Sequence, residues 1–222
     1  MARIARAVAP GLPHHVTQRG NRRLQTFFSD DDYETYLRLM HEWCTHFAVD
    51  MWGYCLMPNH VHLIAVPPDE EALTRAISEV HRRYTRHVNF KQGWRGHLWQ
   101  GRFASYVLGE HYLLACIRYI EMNPVKAGMV QHPAQWQWSS ARAHIDRRHD
   151  GVVNAAALLD MVEGDWAQFL AQELPDSTTT MLRKHERTGR PLGDPAFLDR
   201  VETLLGRSLQ PKRRGRPPGR EK

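Results

Sequence analysis

A chain of 222 residues, 42% of them hydrophobic, can bury one core with a smaller extension, and none of its apolar runs approaches the ~20 residues that cross a bilayer. The three cysteines, Cys44, Cys55 and Cys116, include no Cys-x-x-Cys pair, which argues against a disulfide framework and for reduced thiols in a cytoplasmic protein. Met1 to Arg6 lacks the apolar block of a signal peptide. The formal charge of +6 is unevenly placed: residues 207–222 hold seven Lys and Arg against Glu221, and residues 75–102 hold seven more against Glu79. Two basic zones on an otherwise balanced chain point to a polyanionic partner.

Taken in order, His14 to Arg19 reads as a first strand, closed by Gly20-Asn21. Ser29 before Asp30-Asp31-Asp32 supplies an N-cap and an acidic first turn for a helix reaching about Phe47. Its apolar positions Tyr33, Tyr36, Leu37, Met40 and Cys44 recur at helical spacing. Val49 to Met57 and His60 to Val66 are a second and a third strand, joined through Pro58-Asn59 as a tight hairpin and stopped by Pro67-Pro68. Asp69-Glu70-Glu71 opens a second helix to about Val88, with Leu73, Ile77, Val80 and Tyr84 on one side and arginines on the other. Phe103 to Leu108 reads as a fourth strand. This βαββαβ order predicts an α+β fold, a ferredoxin-like antiparallel sheet with both helices on one face.

Side chains alternate along a strand, so His60 and His62 project from one face while Val61 and Leu63 project from the other. Two adjacent imidazoles on the face that the helices leave open make half of a metal site. A third helix, Glu110 to Asn123, is the element expected to cover that face, and Pro124 ends it. Tyr119 and Asn123 lie four apart and share a side of this helix with Tyr112 and Cys116. Core packing accounts for Tyr112 and Cys116; an asparagine on the same stripe is harder to explain that way.

Three separated motifs carry a resemblance. Met57-Pro58-Asn59-His60-Val61-His62, then Trp99-Gln100-Gly101-Arg102, then Arg118-Tyr119-Ile120-Glu121-x-Asn123-Pro124-Val125-x-Ala127-Gly128, followed by Trp138-Ser139-Ser140, resemble the single-tyrosine transposase family. Within it the chain is most similar to REP-associated tyrosine transposases. The resemblance implies that His60 and His62 bind a metal ion, Mg2+ or Mn2+, and that Tyr119 is the nucleophile, with Tyr112 as its rival. Asn123 stands where the smallest family members carry glutamine and would be the third ligand. The implied reaction cleaves and rejoins single-stranded DNA beside palindromic hairpins through a 5′-phosphotyrosine. A hydrolytic nuclease using the same histidines and a non-catalytic palindrome binder are the alternatives, and the protein would work as a monomer or homodimer.

Residues 1–144 then form the catalytic domain, and residues 145–205 a helical extension with no catalytic signal. The amphipathic stretch from Phe197 to Leu205 suits a small accessory DNA-binding module. Residues 206–222 form a basic tail whose Arg214-Gly215-Arg216-Pro217 core resembles an AT-hook. Arg82, Arg83, Arg86 and Arg102, with Arg214 and Arg216 in the tail, are the expected DNA contacts. Trp94 and Trp99 are either base-stacking platforms or core.

Overall fold

The computed structural model describes residues 5–209. The first half runs β1 (His14–Arg19), α1 (Asp30–His46), β2 (Asp50–Met57), β3 (His60–Val66), α2 (Ala72–Gln92) and β4 (Ala104–Val107). Then come α3 (Glu110–Glu121), α4 (Asn123–Lys126), α5 (Ala141–Ile145), α6 (Ala156–Leu159), α7 (Trp166–Ala171), α8 (Asp176–Thr188) and α9 (Pro195–Leu205).

Local chemistry sets the helix ends. Asp32 accepts the backbone N–H groups of Phe28 and Ser29 and completes a capping box at the start of α1. The second helix runs one turn beyond the sequence expectation, to Gln92, and stops where Gly93 takes a left-handed conformation (φ 66°). The third stops at Glu121 rather than Asn123: Pro124 has no N–H for the helical ladder, so the chain restarts as the single turn α4.

The four strands form one antiparallel sheet in the order β2-β3-β1-β4. His62 sits opposite Thr17 on one side and Cys55 on the other, and His60 opposite Arg19 and Met57. The helices α1 and α2 pack together on the side of Val61 and Leu63, around the buried rings of Phe27, Tyr33, Tyr36 and Tyr84. Trp99 belongs to that core: it is 7% exposed and packs on Tyr36, His81 and Tyr84, so it is no stacking platform.

On the histidine side lie α3 and α8, and both edges of the sheet are closed. Leu56 donates to the Trp138 carbonyl and Ser140 to that of Tyr54 along β2, while Leu192 donates to Val107 beyond β4. Closing edges in this way removes unpaired backbone groups that would otherwise recruit other chains. Phe197 and Val201 of α9 bury against Ala7, Ala9 and Val107. Residues 145–205 therefore wrap the sheet, reaching both its open face and its β4 edge. Among the described residues no helix is long and apolar enough to cross a membrane, and all three cysteines are buried free thiols.

Candidate active site

The period-two alternation of β3 puts His60 and His62 side by side, ring centroids 4.9 Å apart and edge to face. Above them α3 lowers Tyr119, whose ring meets His62 edge-on at 5.7 Å. Tyr119 is 8% exposed, so its ring is packed while its side chain still borders a cleft of ≈ 780 Å³. His60, Asn123, Arg102, Arg183 and Glu186 line the same cleft, and His62 lies behind it. Tyr112, two turns back on α3, is half-buried at the margin of the core against His111 and does not border the cleft.

Both histidines are anchored through Nδ1. His60 Nδ1 lies 2.6 Å from Asn59 Oδ1. His62 Nδ1 lies 2.9 Å from His15 Nε2, and His15 Nδ1 lies 2.9 Å from the Tyr106 hydroxyl. Burial, helped by the Arg19 guanidinium, lowers the His60 pKa to about 4. Burial and then the neighbouring His60, His15 and Arg19 hold His62 well below the ordinary imidazole value. Both rings are therefore neutral at pH 7, the state that metal binding requires. His62 Nε2 is buried with no hydrogen-bond partner among the described residues. Two neutral imidazoles, one with a bare ring nitrogen, and a carboxamide in the same cleft fit a divalent cation. A second cluster, Asp31, Asp32 and His87, is already neutralised by Lys91, whose ammonium lies 2.9 Å from Asp32.

The cleft also holds residues that the sequence did not single out, supplied by α8. The Arg183 guanidinium borders the cleft beside Tyr119, close enough for the two groups to interact electrostatically. Glu186 accepts from Thr17 Oγ1 at 3.2 Å, one strand away from His62. Burial raises the Glu186 pKa, against the pull of Arg19, Arg183 and Arg187. The one hint in the sequence was Glu186 four residues after the buried Leu182, a charge on the apolar stripe of a helix.

The expected DNA contacts divide. Arg102 borders the main cleft and also a second one of ≈ 620 Å³ shared with Arg82, His97 and Asn21. Arg82 and Arg83 both pair with Glu79, and Arg83 lies 4.3 Å over the Trp43 ring. Arg86 is exposed on the same helix, and Trp94 is 47% exposed, edge-on to Phe28. Arg214, Arg216 and the AT-hook-like core lie outside the described residues.

The fold is that of a tyrosine transposase: the chain superposes on a solved REP-associated tyrosine transposase bound to a REP hairpin with a TM-score of 0.60. That match covers 79% of this chain and 94% of the other at 20% identity. A sequence model of the family described as IS200-like transposase matches residues 10–123, and the chain belongs to this family. Two relatives carry the words "REP-associated tyrosine transposase" in their names. The one from Haemophilus influenzae is 27% identical over 108 residues, 44% of this chain and 61% of that protein. The one from Escherichia coli strain K12 is 24% identical over 102 residues, 46% of this chain and 58% of that protein. The chain thus spans about three-fifths of the length of these relatives.

Proposed function

We propose that this protein is a metal-dependent transposase that cuts and rejoins single-stranded DNA beside REP-type palindromic hairpins, with Tyr119 as nucleophile. The observation that carries the reading is one cleft bordered by Tyr119, Asn123 and His60, with the bare Nε2 of His62 behind them. A phosphodiester is anionic and repels an incoming oxyanion, so the site must offer positive charge and hold the nucleophile in line. Mg2+ or Mn2+, held by His60, His62 and the Asn123 carboxamide, would supply Lewis-acid charge at the non-bridging oxygens.

The chain's own groups do the rest. The Arg183 guanidinium, beside Tyr119 in the cleft, stabilises charge that develops on its oxygen. Attack forms the Tyr119 Oη–P bond and breaks the P–O3′ bond; the phenol gives up its proton and the departing 3′ oxygen gains one. The 5′-phosphotyrosine keeps the phosphoester linkage, so a different 3′-hydroxyl can reverse the step and join new strands without ATP. Arg102 borders both clefts and Arg82 the second, and with Arg83 and Arg86, exposed on the same helix as Arg82, they suit phosphate contacts. The words REP and hairpin in the names and description of the relatives support a palindromic substrate.

The test uses the full chain, Mn2+ or Mg2+, and an oligonucleotide with a REP-type hairpin labelled at its 3′ end. A covalent adduct that survives detergent is expected, lost in Tyr119→Phe and retained in Tyr112→Phe. Nicking that persists in Tyr119→Phe without any adduct would replace this mechanism with hydrolysis by water. Binding without cutting in either metal would reduce the protein to a palindrome binder.

A further inference from the structure

The two histidines of the cleft have different Nδ1 partners, and those partners decide which ring nitrogen keeps its lone pair. We propose that Asn59 sets the tautomer of His60, and that a buried relay through His15 and Tyr106 sets that of His62, so that both Nε2 atoms carry lone pairs rather than protons.

For His60 the direction follows from a single amide. Asn59 Nδ2 donates to the Arg23 carbonyl at 3.1 Å, which turns Oδ1 toward His60 Nδ1, 2.6 Å away. An amide oxygen can only accept, so Nδ1 carries the proton and Nε2 is left with its lone pair.

For His62 two directions are open along the chain His62–His15–Tyr106. In the first, the Tyr106 hydroxyl donates to His15 Nδ1, His15 Nε2–H donates to His62 Nδ1, and the remaining His62 proton sits on Nε2. That places an N–H donor in the interior with no acceptor among the described residues, which folded proteins rarely tolerate. In the second, His62 Nδ1–H donates to His15 Nε2 and His15 Nδ1–H donates to the Tyr106 oxygen. The Tyr106 hydroxyl keeps its proton and, being a free rotor, can turn it from His15 toward the neighbouring Cys116 thiol. Both ring N–H groups then have an acceptor fixed at 2.9 Å, and the His62 Nε2 lone pair is left bare.

The relay is closed to solvent. His15, His62, Tyr106 and Cys116 are all buried, with the His15 ring stacked on His62 at 5.2 Å and Tyr106 edge-on to His15 at the same distance. His15 and Tyr106 are positioning residues: they orient the His62 ring and its tautomer through hydrogen bonds. Their consequence for metal affinity rests on the metal-site reading above; the tautomer itself does not.

The experiment reads both separately. Nitrogen-15 NMR of the metal-free protein should find His60 and His62 protonated at Nδ1 and bare at Nε2. Mn2+ titration followed by electron paramagnetic resonance should show binding weakened about 10–100-fold in His15→Leu, which offers no acceptor. His15→Gln, whose carboxamide oxygen accepts from His62 Nδ1–H, should recover most of the affinity. A His62 ring protonated at Nε2 in the wild type would overturn the inference, as would a folded His15→Leu that binds Mn2+ as the wild type does. Wild-type protein that shows the expected tautomers yet binds no Mn2+ would sustain the relay and refute the metal site.

Discussion

His144 Nδ1 lies 2.6 Å from Glu121 Oε1, with both side chains completely shielded from solvent. The same oxygen accepts the Ser140 hydroxyl at 2.6 Å, and Oε2 accepts the Trp166 indole N–H at 2.9 Å. One carboxylate at the end of α3, two residues beyond Tyr119, thus ties that helix to the segment along the β2 edge, to α5 and to α7. Its three donors satisfy a charge that would otherwise be prohibitive to bury.

Removing that acceptor should loosen the helix that carries the tyrosine. Glu121→Ala leaves two buried donors, His144 Nδ1 and the Trp166 indole, unpaired, while the Ser140 hydroxyl keeps the Tyr54 carbonyl, and should lower stability by about 3–5 kcal/mol. Glu121→Gln keeps one oxygen acceptor but turns an amide N–H toward Trp166, and should cost about 1–3 kcal/mol. Urea unfolding followed by tryptophan fluorescence measures both, and a Glu121→Ala protein as stable as wild type would contradict this role.

Arg183 reaches Tyr119 from α8, so its loss should affect the chemical step more than binding. Arg183→Gln should slow adduct formation about 10–100-fold, while hairpin affinity falls less than about tenfold. Single-turnover adduct assays beside filter binding separate the two effects. An unchanged adduct rate would mean that the guanidinium does not contribute in the transition state.

Acid should destabilise the metal-free protein early. Burial is the first cause holding His14 and His60 at about 4, and His15 and His81 at about 3. Unfolded histidines take up protons below about 6.5, whereas these folded ones do not until the pH nears their lowered values. Their contribution to stability is therefore intact above about pH 6.5 and falls as pH drops toward 3–4, each by up to about 1.4 kcal/mol per pH unit. Denaturant midpoints measured at pH 7, 6 and 5 should decline in that order; a flat profile would show that these rings are protonated in the fold.

Much of the sheet was legible because its signals are local. Alternation alone aligns His60 with His62, the capping aspartates mark α1, and the four-residue offset pairs Tyr119 with Asn123. Trp99 was ambiguous for the opposite reason: an indole beside arginines reads alike in a groove or a core, and only the packing of Tyr36, His81 and Tyr84 around it decides.

What the sequence determined by itself is the pair of faces, one on a strand and one on a helix, since short-range geometry depends only on period. Their meeting is tertiary. The third helix comes down on β2 at Gly53, where an added Cβ would lie 2.4 Å from Ile117 Cδ1, and that close approach brings Tyr119 to His62. His15 stands 47 residues from His62 and Glu186 169 from Thr17, so no periodicity links them. Hydrogen bonds between such distant positions exist only once strand register and helix packing have fixed which buried polar groups must satisfy one another.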